Sequence, residues 1–283
     1  MNNRGVLSAR GGLWHVSTVR NLLARTGLPL LVVLLCLPQE FDAQAFRGAE
    51  LFQLDTRIAH AGGGYRARYD YTNSTVALDE SYAKGFRLFE LDLQATRDGG
   101  IVCIHSWRDL RWLRASPLTM REFLKWRSGR VAEPCTMDEL ATWFLAHPDA
   151  ILITDTKSES IELLREIAAA LGAAAGRLVV QVYSPEMLEV AYKAGFERII
   201  YGVYVLPRRL RSIEHLGRLR GHPALLAVNL PKDDVLNGTL AHFAALDRPI
   251  LVHTVNDCAE LEQLAGLGVA GIFTDFLHPG ACL

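Results

Sequence analysis

The stretch Arg87-Leu88-Phe89-Glu90-Leu91-Asp92-Leu93 decides the fold, because acidic and apolar residues alternate along it. Side chains of a β-strand alternate between its two faces, so Glu90 and Asp92 point the same way, roughly 6–7 Å apart. The other side chains from Leu88 to Leu93 are apolar, as in a strand that is covered on both faces of a parallel sheet. The pattern therefore predicts a buried strand that carries two carboxylates towards its C-terminal end.

Eight further strand-like runs lie on either side of this one. They are residues 57–60, 101–105, 150–154, 178–183, 199–204, 225–230, 249–255 and 271–274. The turn at residues 96–100 is too short for a parallel crossover, which takes about a dozen residues, so residues 101–105 must fold back as a hairpin. The eight runs that remain, which include residues 87–93, alternate with helical patterns. We therefore predict an α/β fold, a (β/α)8 TIM barrel with a short β-hairpin excursion after strand 2.

Helix-start patterns support this alternation. Residues 160–175 are rich in Ala, Leu and Glu, as is typical of a helix. Ser184 is a predicted N-cap with Pro185 in the first turn, and Asp257 with Glu260 predicts a capping box.

Residues 1–45 have the features of a signal peptide. Arginines precede an apolar stretch at residues 28–37, and Ala43-Gln44-Ala45 gives an A-x-A cleavage pattern. We therefore expect export to the periplasm or the medium, with residues 46–283 as the mature barrel domain. An uncleaved membrane anchor is the alternative, although the apolar stretch is shorter than the roughly 20 residues that span a bilayer.

Cleavage after residue 45 leaves Cys103, Cys135, Cys258 and Cys282. An exported protein can form disulfides, and four cysteines allow three pairings that the sequence does not distinguish. Cys103 lies within an apolar run, which predicts a small buried hydrophobic side chain. The formal net charge of −1 gives no electrostatic footprint for nucleic acid, so we expect no nucleic-acid partner.

Acidic side chains occur where two predicted strands end. Asp155 follows the apolar run 151–153. Strand alternation places Asp155 on one face with Lys157, just as it places Glu90 on one face with Asp92. Carboxylates aimed together without a nearby Lys or Arg repel each other unless a cation lies between them. Their oxygens are the ligands that Mg²⁺ or Ca²⁺ prefers, so we predict a metal site formed by these three acids.

His60 and His105 end two other runs and are the proposed acid and base. Phosphodiester cleavage needs one group that takes a proton from the attacking oxygen and another that gives one to the leaving oxygen. Lys157 can contact the phosphate. In a barrel the C-terminal strand ends meet at one rim, where the active site lies. This set of residues points to metal-assisted phosphodiester cleavage.

The chain resembles the glycerophosphodiester phosphodiesterase family over residues 60–276. The resemblance implies roles for the same six side chains: an acid–base pair, three ligands for a divalent cation and a phosphate-facing group. It also implies hydrolysis of a glycerophosphodiester to an alcohol and glycerol phosphate. The segments that carry it are His60-Ala61-Gly62, Asn73 opening the first helix, Glu90-Leu91-Asp92, Thr96-Arg97-Asp98-Gly99, Val102-Cys103-Ile104-His105, Asp155-Thr156-Lys157, Thr254-Val255-Asn256 and Thr274-Asp275.

Four positions depart from the pattern of that family. Ala61 stands where the family usually has Arg, and Asp155 where it has Glu; Ser106 replaces an Asp, and His253 a Trp. At residue 61 we expect a phosphate contact that is either missing or supplied by Lys157 or a loop arginine. We also expect a shorter metal ligand at residue 155 and no orienting acid at residue 106. For His253 we expect a hydrogen bond at the strand end.

Two other functions are alternatives. The Asp at the third acidic position also resembles sphingomyelinase D-like phospholipases, which implies choline-bearing or lysophospholipid substrates and transient contact with a membrane surface. Aromatic residues at 107, 112, 123 and 126 could form a lipid-facing lip, but their spacing favours packing over the barrel end. The remaining alternative is a non-catalytic exported protein that binds a phosphorylated ligand.

Overall fold

The computed structural model describes residues 51–282, apart from 54, 111–115, 159, 206–215, 218 and 245. The predicted signal peptide and Trp112 lie outside the described residues. None of the helices in the described part of the chain combines the length and the hydropathy needed to span a bilayer.

Nine strands form one sheet, and eight of them close it into a barrel. The strands are β1 (Thr56–Ala59), β2 (Leu88–Ala95), β3 (Ile101–Cys103), β4 (Ile151–Asp155), β5 (Leu178–Val182), β6 (Ile199–Gly202), β7 (Leu225–Pro231), β8 (Ile250–His253) and β9 (Gly271–Thr274). Their order is β1-β9-β8-β7-β6-β5-β4-β2-β3, and a parallel β1–β2 pairing closes the ring. The predicted (β/α)8 barrel is confirmed.

The predicted hairpin after strand 2 is confirmed as well. The first part of β2 pairs in parallel with β4, as in Asp92 beside Asp155, whereas Leu93–Ala95 pair antiparallel with β3. The turn is closed by a hydrogen bond from Thr96 N to Gly100 O (2.7 Å), and Gly99 supplies the positive φ of 85° that this turn needs. β3 therefore lies outside the parallel ring.

Helices cover the outside of the barrel. They are α1 (Thr75–Ala83), α2 (Met120–Arg127), α3 (Met137–Ala146), α4 (Ile161–Leu171), α5 (Pro185–Lys193) and α6 (Cys258–Gly266), with shorter segments Lys232–Asp234, Val235–Thr239 and Leu240–Ala244 between β7 and β8. The predicted start of α5 is confirmed, because Ser184 accepts a hydrogen bond from Met187 N.

The predicted capping box at α6 is only half formed. Asp257 caps the helix by accepting from Ala259 N and Glu260 N (2.9 and 3.0 Å). Glu260 is instead bound to Lys232, at 2.7 and 2.8 Å, because this loop lysine offers it a charged partner.

The core has two layers, as strand alternation requires. Ile58, Ile153 and Phe273 belong to a cluster that fills the lower barrel; Phe52 is also a member, and Leu51 packs against it. The intervening strand residues, such as Phe89, pack outward against helices. The side chains that point inward continue along each strand to its C-terminal end. The polar residues that follow the apolar ones in this series therefore face the upper part of the barrel interior.

Two disulfides connect the four described cysteines, Cys103 with Cys135 and Cys258 with Cys282. Cys103 is fully buried in the core, as predicted, and its pairing with Cys135 is one of those that the sequence left open. Residues 134–136 run beside β3, where Val102 bridges to Thr136, and this approach brings Cys135 onto Cys103. Local sequence could not show such a contact between segments 32 residues apart.

The aromatic residues between 107 and 126 mainly pack. Trp107 and Phe123 are buried in a separate cluster with Ile104 and Leu118, and Trp126 packs on it partly buried. This confirms packing at the barrel end for the described members of the group.

Candidate active site

The predicted site residues come together at the C-terminal end of the barrel. His60, Glu90, His105, Asp155 and Lys157 line one cavity of about 430 Å³. Asp92 lies beside it, two residues along β2 from Glu90. Six side chains from four separate parts of the sequence therefore meet within one small volume.

Glu90, Asp92 and Asp155 form a buried carboxylate cluster. One oxygen of each lies within 4.8 Å of the others, and all three side chains are buried. Burial and the neighbouring Asp92 raise the pKa of Glu90 to about 8. Buried like charges need a cation to remain ionised, so the donor set fits a divalent metal with hard oxygen ligands.

Asn73 holds Asp92 with both ends of its amide. Its Nδ2 donates to Asp92 Oδ2, and its Oδ1 accepts from the backbone N of Asp92, each at 3.0 Å. Asn73 does not open α1, as the resemblance implied; Ser74 is the N-cap. Asn73 itself has a positive φ of 50°, which Asn tolerates better than most residues.

Lys157 bridges two of the acids. Its Nζ lies 3.1 Å from Asp92 Oδ1 and 3.2 Å from Asp155 Oδ2. Lys157 therefore lies on the same side as Asp155, as predicted, but the acids of β2 do have a nearby cation, which the sequence had not indicated. The reason is that β4 ends at Asp155, and Lys157 lies in the loop beyond it with a φ of 51°. The charges of Asp92 and Asp155 outweigh the cost of burial and raise the pKa of Lys157.

Two tyrosines fix the carboxylate of Asp155. Tyr183 donates to Oδ1, Tyr204 donates to Oδ2 at 2.7 Å, and the two hydroxyls are 2.7 Å apart. Gly202 makes room for both rings, because a Cβ there would lie 2.6 Å from Tyr183 Cε1 and 3.1 Å from Tyr204 Cε1. Sequence reasoning missed both tyrosines, although they stand at the ends of predicted runs.

A directed series of hydrogen bonds leads to this tyrosine pair from the far side of the barrel. The Nε2 group of Gln181 donates to both hydroxyls (2.8 and 3.0 Å), and Asn229 Nδ2 donates to Gln181 Oε1 (3.0 Å). His253 Nδ1 lies 2.8 Å from Asn229 Oδ1, which confirms the expected hydrogen bond at the strand end. Because Asn229 Oδ1 accepts, His253 carries a proton on Nδ1.

His60 is oriented by an acid that sequence reasoning had not assigned. Its Nδ1 lies 2.9 Å from Asp275 Oδ1, and Asn256 Nδ2 donates to Asp275 Oδ2 at 2.6 Å. Burial opposes the charged imidazole, but the bond to Asp275 and the charge of Glu90 outweigh it and raise the pKa of His60 to about 9. Residues 254–256 and 274–275 belonged to the family resemblance, which was the available signal.

Tyr71 lies between the two histidines. Its ring contacts His60 and His105 edge-on, with centroid distances of 4.6 and 5.1 Å. Burial and the charge of Asp92 raise its pKa, so the phenol stays protonated. Ser106 accepts from Arg108 N at 3.1 Å and caps the turn Trp107–Asp109, a local role in place of the expected acid.

Ala61 contributes its backbone to the site. Its N–H donates to Glu90 Oε2 at 2.8 Å, and its side chain is fully buried. Among the described residues that line the cavity, Lys157 is the only Lys or Arg. Any Lys or Arg side chain that meets a phosphate within these described walls must therefore be Lys157.

Two imidazoles and three carboxylates at the C-terminal rim of a TIM barrel are the groups that metal-assisted acid–base cleavage of a phosphoric diester requires. The family model for the glycerophosphoryl diester phosphodiesterase family matches residues 60–278. The chain belongs to this family.

Solved structures with the same fold carry related names. A glycerophosphodiester phosphodiesterase from Parabacteroides distasonis is 17% identical, with a TM-score of 0.64 over 81% of this chain and 95% of that one. One from Thermotoga maritima is 20% identical, with a TM-score of 0.62 over 78% and 94%. A phosphodiesterase from Oleispira antarctica, in complex with the product sn-glycerol-3-phosphate, is 18% identical, with a TM-score of 0.53 over 85% and 97%. At these identities the likeness shows the fold.

Proposed function

We propose that this protein hydrolyses glycerophosphodiesters to an alcohol and glycerol phosphate, using His60 and His105 for proton transfer and a divalent cation for charge neutralisation. The observation that carries the proposal is the single cavity that both imidazoles share with Glu90, Asp155 and Lys157. The sn-glycerol-3-phosphate bound to the Oleispira antarctica relative supports the choice of substrate.

Glu90, Asp92 and Asp155 would hold Mg²⁺ or Ca²⁺. Such an ion would supply positive charge next to the phosphate, where negative charge develops as the phosphorus becomes pentacoordinate. Lys157 adds a second positive charge on the cavity wall, next to two of these acids. Together they replace the arginine contact that residue 61 lacks.

The two histidines divide the proton transfers. A new bond forms between phosphorus and the attacking oxygen, which loses its proton to one imidazole, and the bond from phosphorus to the leaving alcohol breaks as the other imidazole protonates that oxygen. Because His60 Nδ1 is bound to Asp275, its Nε2 is the atom that exchanges a proton with substrate. Water is consumed overall, whether it attacks directly or opens a cyclic phosphate.

Turnover with phosphorus NMR detection tests this proposal. We expect the purified protein to release glycerol phosphate from glycerophosphocholine, glycerophosphoethanolamine or glycerophosphoinositol with Mg²⁺ or Ca²⁺, and not with a chelator. Glu90→Gln should abolish turnover. The matched control is Glu80→Gln, because Glu80 is paired with Lys84 on the protein surface.

Binding of these diesters with no product at saturating metal would overturn the proposal and favour the non-catalytic binding protein. Metal-dependent turnover that is lost in His60→Ala would exclude that alternative.

We also propose that the protein is exported and that residues 1–45 are removed. The two disulfides support this, because disulfides persist mainly in oxidising compartments. Expression of the full chain, followed by cell fractionation and N-terminal sequencing, tests it. We expect an exported product that begins at Phe46; an intact N-terminus in the cytoplasmic fraction would refute the proposal.

A further inference from the structure

A second, larger cavity of about 720 Å³ lies next to the active-site cavity and shares two lining residues with it. We call it the side trough and define it by the walls that Tyr71, His105, Leu110, Trp126, Val131 and Pro134 contribute. Tyr71 and His105 line both cavities, so a substrate bound next to His105 can extend into the trough.

Apolar side chains dominate the trough and leave much of their surface uncovered. Val131 is 53% exposed and Tyr71 is 44% exposed, while Leu110 and Pro134 form buried parts of the wall. Polar side chains, such as Arg130, stand among them. Exposed apolar surface in a cavity next to a catalytic cavity is typical of a ligand site.

The outer wall of the trough is held in place at both ends. Arg127 binds Glu139 with two hydrogen bonds, at 2.5 and 2.7 Å, and donates to Pro134 O at 2.9 Å. The disulfide from Cys135 to Cys103 fixes the other end. The trough is therefore formed before a ligand arrives, which lowers the entropic cost of binding.

The same wall is connected to the carboxylate cluster. Cys135 N donates to Asn73 O at 2.9 Å, and the Asn73 side chain holds Asp92. The trough and the carboxylates therefore keep a fixed position relative to each other. A substrate that occupies both places requires this.

The chemistry of the trough favours an acyl chain over a choline group. Arg130 lies over the Trp126 ring, 4.0 Å from its centroid, so a cation already covers one face of that ring. A second cation would be repelled there, whereas a hydrocarbon chain gains from the apolar walls. A water-soluble glycerophosphodiester has no group that would fill this space.

We propose that the side trough binds the acyl chain of a lysophospholipid, so that the protein prefers monoacyl glycerophosphodiesters to glycerophosphodiesters without a chain. This inference rests on the proposed function and names its substrate class. The bonds made and broken are those given above; the products are lysophosphatidic acid and the head-group alcohol.

A chain-length series below the micelle concentration tests this preference. With hexanoyl, octanoyl and decanoyl lysophosphatidylcholine we expect kcat/KM to rise about two- to four-fold per added methylene, with glycerophosphocholine the poorest substrate. Val131→Asp should lower the ratio of kcat/KM for decanoyl lysophosphatidylcholine to kcat/KM for glycerophosphocholine at least ten-fold. Leu124→Asp is the control, because Leu124 is 40% exposed on α2 and does not line the trough.

The outcomes separate the two proposals. Turnover of glycerophosphocholine with a flat chain-length profile would overturn the trough proposal and leave the proposed function standing. If no diester is turned over, the proposed function fails, and calorimetric binding of monomeric decylphosphocholine decides the trough. Binding that Val131→Asp weakens and Leu124→Asp does not would support the trough; equal binding by all three proteins would overturn it.

Discussion

Replacing Asp275 by Asn tests how the tautomer of His60 is set. The amide of Asn256 has a fixed orientation, because its Oδ1 accepts from Asp275 N (2.8 Å) and Thr274 Oγ1 (3.0 Å). Its Nδ2 therefore points at position 275. In Asp275→Asn the introduced amide must turn its oxygen to Asn256 and its NH₂ to His60 Nδ1. His60 Nδ1 must then accept, and the proton moves to Nε2.

The size of the effect follows from this reversal. With Nδ1 facing an NH₂ group, His60 cannot form the imidazolium that proton exchange through Nε2 requires, whether it acts as acid or base. A wrong tautomer of this kind lowers kcat about 10⁴-fold in the known Ser-His-Asp enzymes. The double substitution Asp275→Asn with Asn256→Asp should recover most of the loss. The introduced carboxylate accepts from Thr274, from the backbone and from the introduced amide, whose oxygen again accepts from His60 Nδ1.

The double variant still lacks the charge beside His60. The difference between a charge-assisted and a neutral hydrogen bond is about 1–1.5 kcal/mol, so we expect kcat about ten-fold below that of the unchanged protein. The assay is release of glycerol phosphate from glycerophosphocholine at saturating metal. The reasoning is refuted if Asp275→Asn keeps kcat within ten-fold of the unchanged protein, or if the double variant is no faster than the single one.

Three further predictions concern the metal, the phosphate and stability. Tyr204→Phe removes a hydrogen bond that orients Asp155, and we expect Mg²⁺ affinity, measured by calorimetry, to fall about 10-fold. Lys157→Gln removes the one Lys or Arg among the described cavity-lining residues, and we expect KM for glycerophosphocholine to rise more than 10-fold. Replacing Cys103 and Cys135 by Ser opens a loop with a sequence separation of 32 residues, which should cost about 4 kcal/mol and lower Tm by about 10 °C in calorimetry.

Matched controls exist for these variants. Tyr192→Phe changes a half-exposed tyrosine outside the cavity and should leave Mg²⁺ affinity unchanged. Lys84→Gln removes a surface lysine paired with Glu80 and should leave KM unchanged. Equal effects in variant and control, or a Tm that does not change on loss of the Cys103–Cys135 bond, would contradict the corresponding prediction.

The parallel barrel was predictable because each strand is a local pattern. The predicted run 271–274 is strand β9 to the residue, and the other boundaries differ by a few residues. The hairpin at residues 96–100 was also predictable, since a short connection cannot make a parallel crossover. Strand alternation likewise placed Glu90 and Asp92 together on the inner face.

The residues that orient the site could not be derived from local patterns. Asp275 meets His60 across 215 positions of the chain, and Tyr204 meets Asp155 across 49. Such contacts exist because barrel closure brings β9 beside β1 and because loops beyond the strand ends turn inward. Side chains alternate between two faces only within a strand. β4 ends at Asp155, so the prediction that Lys157 lies on the same strand was wrong.

The short acid at position 155 becomes understandable from its neighbours. An Asp reaches one methylene less far into the cavity than the Glu usual in the family. In this chain Tyr183 and Tyr204 hold both of its oxygens, and Lys157 contacts one of them. Both phenols fit there because residue 202 is a glycine. The Asp, the two tyrosines and the glycine therefore form one packed unit, and restoring the longer acid alone would push its carboxylate against the tyrosine hydroxyls.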